Sequence, residues 1–419
     1  MFFNSRSFLI ALIRACYYEF IFLFASFCGL FIPSKQNQWL FCINSKFTFE
    51  GNIRAVHDKA TEIDGVQSVI LCPNKKFVNE MTSIYGGANY NNVRIVSKNS
   101  FLAVCCYIRS KVCFVSHSHS DIYSRFFFHW RKVVIDVHHG VPIKAVFFAE
   151  EIDRNLRKNR KLLNRFHCKV SYVIANSEID KLSMSSSMQH NPHAVWVTGL
   201  PRNDFLFRNA AISKDLFEQE KQLKRIIGDK KFVLYAPTWR RLEFSGIFSK
   251  GDVGDNPFGD GDDFDRLVKI LENHGVILGI RRHYCSGLWG YRKHPNIIEC
   301  DQRNFLETQI LLRNTDILIT DYSGIWVDFL LLNRPILGFC YDYEEYMKDR
   351  SFLYNFKKVF PGKIAYDIES LIDSLQDLLL KGDTDQDKLL RERSFDIFHK
   401  YSDGNNSQRV IDKVMELAR

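Results

Sequence analysis

Short apolar runs recur along the chain, and nearly every one empties into a turn rich in Gly, Pro, Asp, Ser or His. Runs of this length, apolar on both faces, read as strands buried in a parallel sheet. They fall at 39–43, 66–71, 93–96, 111–115, 133–137, 172–175 and 195–198, and again at 232–236, 276–280, 297–299, 317–320 and 336–339. Helical stretches at 51–63, 151–166, 264–273, 305–313 and 323–332 alternate with them, and two more close the chain at 368–380 and 408–417. That alternation predicts an α/β architecture of two doubly wound, Rossmann-type domains facing a central cleft. At 419 residues the chain is too long for one ordinary core. The alternation restarts after Asp204, so the boundary is expected within 204–212. The resulting division is an apolar segment at 1–33, a first domain at 34–205 and a second at 206–419.

The apolar segment raises the question of a membrane. Residues 8–32 are strongly apolar, but Arg14 and Glu19 interrupt them and the clean run at 20–32 is only 13 residues. About 20 are needed to span a bilayer. No small-x-small cleavage site follows, which argues against a signal peptide. The segment is expected to lie on the inner membrane surface. A spanning helix that buries an Arg14–Glu19 contact and a buried helical hairpin are the alternatives. Net charge is +9, which favours anionic partners such as a lipid surface without naming one. No nucleic-acid module accompanies the charge, so no nucleic-acid partner is expected. The 11 Cys include no C-x-x-C pair, which argues against a zinc ribbon, and their irregular spacing fits a reducing cytoplasm.

Several strand ends carry chemistry. The strand at 133–137 delivers His138-His139-Gly140-Val141-Pro142-Ile143-Lys144. Gly140 permits close backbone approach and Pro142 stiffens the loop. His139 is the side chain best suited to take a proton near neutral pH; a loop-capping histidine is the alternative. In Gly199-Leu200-Pro201-Arg202-Asn203-Asp204, Arg202 could fork onto a phosphate or could be a solvated turn residue. Thr238 and Trp239 follow the strand at 232–236. Arg281, Arg282 and His283 make a compact cationic group after 276–280, where neighbouring positive charge favours neutral imidazole. Thr320-Asp321-Tyr322-Ser323-Gly324 ends a strand and opens a helix, whose free N–H groups suit a diphosphate. Simple capping by Ser323 is the alternative there.

Other features look sharper than they are. His117, His119 and Asp121 in the run SHSHSD resemble metal ligands but lack a matched second cluster, so no metal site is expected. The Asp-rich stretch at 251–263 lacks the terminal Glu of an EF-hand loop. Arg154, Arg157, Lys158, Lys161 and Arg165 share one helical face, which reads as solvated or as facing anionic lipid.

Taken together the motifs resemble those of the CDP-glycerol glycerophosphotransferase family, which includes teichoic-acid primases and polymerases and related capsule enzymes. The resemblance rests on His139 to Lys144, Gly199 to Asp204, Ala236 to Trp239, Arg281 to Tyr284, and Thr320 to Ser323 with Asp328, Pro335 and Ile336, in that order over residues 39–362. Tyr284 stands where the family pattern has Pro, and Gly324 where it has a second Ser. The resemblance implies a GT-B-like fold and transfer of glycerol phosphate, or a related polyol phosphate, from a CDP-polyol donor. The acceptor would be a lipid-linked or polymeric hydroxyl at the cytoplasmic membrane face, and CMP would leave. On this reading His139 and His283 are catalytic. Gly140, Pro142, Lys144, Arg202, Thr238, Arg281, Arg282, Asp321, Ser323, Gly324 and Asp328 meet the substrates. No cofactor or metal is required. A GT-B glycosyltransferase using a nucleotide sugar shares the fold and is the alternative.

Overall fold

The computed structural model describes residues 5–44, 48–124, 127, 129–149, 170–207, 212–238, 257–259, 261–282, 292–349 and 351–417. The helix expected at 151–166, with its five basic residues, and most of the acidic stretch at 251–263 lie outside them. The chain divides into two compact units. One comprises Met1–His139, Ile152–Asp204 and Asn405–Arg419, the other Gly140–Glu151 and Phe205–Gly404.

The first unit is built on strands β1 (Lys35–Cys42), β2 (Gln67–Cys72), β3 (Val93–Ser97), β4 (Ser110–Val115), β5 (Val133–Asp136), β6 (Tyr172–Ala175) and β7 (Val195–Val197). They form one sheet in the order β3-β2-β1-β4-β5-β6-β7, every neighbouring pair parallel. Leu40, Phe41, Ile70, Phe114, Ile135 and Ile174 are all buried, because side chains on both faces of a covered parallel sheet must be apolar. The helices Lys75–Tyr85, Phe101–Arg109 and Glu178–Met188 start at Asn74, Ser100 and Ser177, whose side chains each accept a backbone N–H three residues on.

The second unit repeats the plan with β8 (Lys231–Ala236), β9 (Val276–Ile280), β10 (Ile297–Glu299), β11 (Ile317–Thr320), β12 (Ile336–Phe339) and β13 (Lys363–Ala365). Their order is β10-β9-β8-β11-β12-β13, again all parallel. Phe264, Leu267 and Leu271 from helix Asp262–Asn273 and Leu371, Ile372 and Leu375 from helix Ile368–Lys381 pack with Val233, Leu278 and Ile319 of the strands. Strand order reverses between β1 and β4 in one sheet and between β8 and β11 in the other. Loops at the carboxyl ends of those strands are where open α/β sheets hold ligands.

Five strands fall at the expected bounds, 172–175, 276–280, 297–299, 317–320 and 336–339. β13 and the helix Lys75–Tyr85 escape sequence reading for physical reasons. The former is three residues with a Lys, and the latter buries only Met81 and Tyr85. The expected second domain at 206–419 is amended at its end, since residues 405–419 belong to the first unit. The Asp204 carboxylate accepts from the backbone N–H of Asn406 (2.9 Å) and Ser407 (2.7 Å), and Asn406 Nδ2 donates to the Leu200 carbonyl (3.1 Å). Those bonds tie the last helix, Asn406–Glu416, to the turn after β7.

The N-terminal segment is a single helix, Ser5–Cys28. Ile21, Phe22 and Ala25 are buried, Phe22 meets the His129 ring edge-on at 4.8 Å, and Glu19 accepts from Ser124 Oγ at 2.6 Å. Phe20, Leu23, Phe24 and Phe27 are exposed. Among the described residues no helix is long and apolar enough to cross a membrane. The described residues thus lend no support to the spanning alternative.

Candidate functional site

β5 ends at Asp136, and the next residues are held under strain. His138 has φ 51°, a left-handed conformation that costs a non-glycine residue free energy unless its surroundings hold it. Asp136 Oδ1 accepts from His138 N (2.9 Å), while Asn52 Nδ2 donates to the carbonyls of Val137 (2.8 Å) and His138 (3.1 Å). Asn52 Oδ1 also accepts from Arg202 N at 3.0 Å. One buried amide thus joins the histidine loop to the Gly199–Asp204 turn. Arg202 completes the link, its guanidinium donating to the His139 carbonyl.

His139 leaves this strained corner with its side chain in contact with solvent. One face of its ring lies against His117, centroids 4.8 Å apart and planes within 14°. The Ser116 backbone lies near the ring and favours its protonated form. Desolvation by the surrounding protein, then the nearby His138, push its pKa down to about 4. Asp136 and the Ser116 backbone oppose that shift, and Arg202 adds to it. The imidazole is therefore neutral at physiological pH.

β4 supplies the platform beneath. Asp121 Oδ2 accepts from the backbone N–H of Ser116 (3.3 Å) and His117 (3.1 Å), and Asn44 Nδ2, just past β1, donates to Asp121 Oδ1 (2.7 Å). Burial pushes Asp121 up to about 6. The motif that looks like metal ligands in the sequence therefore has its carboxylate committed to the turn at the point where strand order reverses.

In the second unit, residues 140–144 pair with the chain near Phe352. Ala145 N donates to the Ser351 carbonyl (2.8 Å), Leu353 N donates to that of Ile143 (2.9 Å), and Lys144 and Phe352 form an antiparallel bridge. The Lys144 ammonium lies 5.8 Å from the Tyr346 ring centroid, and Pro142 is half-buried. A Cβ on Gly324 would sit 2.5 Å from the Val141 carbonyl oxygen. That approach accounts for Gly where the family pattern has Ser. Gly324→Ser is expected to lower stability by about 1–3 kcal/mol through overpacking. A urea midpoint equal to that of the parent protein would show the carbonyl moves aside at no cost.

Asp321 braces the second strand-order reversal. Its two carboxylate oxygens accept from Thr238 N at 2.8 and 3.0 Å, and Oδ1 also accepts from Ser323 N at 3.2 Å. Asp321 is fully buried. The helix expected at 323–332 is corrected to a five-residue α-helix, Ile325–Phe329, with a 3-10 turn at Leu330–Leu332. So short a helix aligns few peptide dipoles, and the N–H of Ser323 is already used by Asp321. Ser323 Oγ accepts from Ile325 N at 3.4 Å, while the residue at the N-cap position is Gly324, without a side-chain cap.

Two expected substrate ligands make internal hydrogen bonds. The buried Arg281 guanidinium donates to the carbonyls of Cys300, Phe305 and Leu306 and to Thr308 Oγ1. Asp328, 1% exposed, accepts from Gln309 Nε2 at 3.0 Å. In both cases the local pattern carries no trace of partners so far along the chain. Arg282 donates to Glu299 at 3.0 Å. His283, Tyr284 and Trp239 lie outside the described residues. Sequence reasoning missed Asn52 and Ser116 altogether, since an Asn in a first helical turn and a Ser in a Ser-rich loop look ordinary.

Comparison with known proteins adds a family to this geometry. The family model described as CDP-Glycerol:Poly(glycerophosphate) glycerophosphotransferase matches residues 24–416. A teichoic acid poly(glycerol phosphate) polymerase of Staphylococcus epidermidis is 29% identical over 292 residues, 68% of this chain and 39% of the relative. The teichoic acid ribitol-phosphate polymerase TarL of Staphylococcus aureus is 26% identical over 389 residues, 90% of this chain and 62% of the relative. This chain thus spans 39% and 62% of the length of these curated relatives. Among solved structures, the wall teichoic acid polymerase TagF superposes with a TM-score of 0.71 at 21% identity, covering 91% of this chain and 89% of that one. A variant of TagF soaked with CDPG superposes with a TM-score of 0.70.

Proposed function

Because the chain belongs to the CDP-glycerol:poly(glycerophosphate) glycerophosphotransferase family, we propose that it transfers glycerol phosphate, or a related polyol phosphate, from a CDP-polyol to an acceptor hydroxyl. The product would be a teichoic-acid or capsule-type cell-surface polymer. The acceptor oxygen attacks the phosphorus that bears the polyol. A new O–P bond forms, the bond to the bridging diphosphate oxygen breaks, and CMP leaves. His139 takes the hydroxyl proton. The observation that carries this role is its placement: the ring follows the strained His138 corner, lies flat against His117 and reaches solvent, and its surroundings favour the neutral form. A phosphate leaving group has a second pKa of about 6 and needs little protonation.

The donor diphosphate is assigned to the carboxyl ends of β8 and β11, where Thr238, Ser323 and Gly324 lie and where strand order reverses. Arg282 and His283 are proposed to neutralise its charge, as phosphoryl transfer requires. The lipid-linked or polymeric acceptor places the reaction at the cytoplasmic membrane face. The exposed Phe20, Leu23, Phe24 and Phe27 of the N-terminal helix and the net charge of +9 suit peripheral contact with an anionic bilayer.

The deciding experiment incubates the protein with CDP-glycerol, CDP-ribitol and a panel of nucleotide sugars, and reads CMP release and product mass. Turnover of a CDP-polyol with a mass gain of one polyol phosphate per step supports the reading. Turnover of nucleotide sugars alone would establish the glycosyltransferase instead. The pH profile offers a second readout. With the His139 pKa lowered, the accepting form persists below the ordinary histidine value of about 6.5. The acid limb of kcat/KM is therefore expected below pH 6.5, activity falling as pH drops through it.

A further inference from the structure

We propose that His117 is a positioning residue for His139: its flat ring, stacked on the His139 imidazole, holds that imidazole in one orientation and so in one tautomer. The inference rests on the reading of His139 as the base, and extends it to a loop that reading leaves unused. Three observations support it. The rings stack nearly parallel, centroids 4.8 Å apart, so the His117 face blocks rotation of His139 on one side. Strand register sets the meeting, because Val115 of β4 pairs with Asp136 of β5 and the two loops leave side by side. The turn itself is clamped: Asp121 accepts from the N–H of both Ser116 and His117, Asn44 donates to Asp121, and the side chains of Ser116 and His117 are hydrogen-bonded at 2.9 Å.

Clamping of this kind is how a second layer of groups fixes the tautomer of a working histidine. With the His139 ring held in one orientation, the lone pair of one ring nitrogen is presented to substrate in every turnover. His117 also contributes by staying neutral. Burial, with His139 and His138 nearby, pushes it down to about 3. A neutral ring face beside His139 does not repel the positive charge that His139 gains when it takes a proton. The other charged or titratable groups acting on His139 are His138, Asp136 and Arg202.

The test compares the full chain with His117→Ala and His117→Phe. In protein labelled with nitrogen-15 histidine, the His139 signal is identified by its loss in His139→Ala, and its tautomer is read without donor present. In parallel, kcat and KM are measured with CDP-glycerol. His117→Ala is expected to mix the His139 tautomers and to lower kcat about 10–100-fold, with KM for the donor within about twofold. His117→Phe, which restores a flat ring, is expected to recover most of kcat. If the alanine variant does not fold, His117→Leu, of similar bulk without a flat face, is read in its place. An unchanged His139 tautomer in the alanine or leucine variant overturns the proposal, whatever substrate the enzyme uses. So does a phenylalanine variant no better than alanine. Full activity of His139→Ala would instead remove the general base from the proposed function, and the tautomer readout would still decide the role of His117.

Discussion

Replacing His139 with alanine is expected to lower kcat by about 10²–10⁴-fold, the usual contribution of one general base, while the protein stays folded. The side chain reaches solvent, so its loss opens no sealed cavity. The strained corner beside it is held by Asp136 and Asn52, which bond to the backbone of His138 and Val137 rather than to the His139 ring. KM for the CDP-polyol is expected to change little, because the donor is assigned to other strands. Steady-state CMP release, with a circular dichroism spectrum to confirm folding, checks both halves. A folded alanine variant that turns over at the parent rate would mean the proton goes elsewhere.

Asp321→Ala should have the largest effect on stability, a loss of about 2–5 kcal/mol. The carboxylate is fully buried and accepts from the N–H groups of Thr238 and Ser323. Alanine would strand both donors where water does not reach, at about 1–3 kcal/mol each. Asp321→Asn keeps one acceptor oxygen and is expected to fall between the two. Activity should fall alongside stability, because Thr238 and Ser323 would lose the brace between β8 and β11. The urea midpoint gives the result directly. An alanine variant that unfolds where the parent protein does would show that the loops are held by other contacts.

The candidate site is partly legible in the sequence. The motif 138–144 stands out because a strand, a Gly and a Pro deliver two histidines to one loop. The sequence does not show that His117 lies under His139, since 21 intervening residues separate them and only the β4–β5 pairing brings them together. Nor does it separate Arg281 from Arg282. Both read as cations beside a histidine, yet one is spent on three carbonyls and a hydroxyl while the other meets an exposed carboxylate. Gly324 is visible as a departure from the family pattern, but its cause, the Val141 carbonyl, is not.

Burial is written locally, in which residues are apolar and at what spacing. That is why sequence alone determined the parallel α/β class, most of the strands and the order of the motifs. Hydrogen-bond partners are chosen across folded space. Only the tertiary structure could return the last helix to Asp204, give Arg281 and Asp328 internal partners and lay one imidazole on another, because each of those outcomes depends on which distant groups the sheets bring within about 3–5 Å.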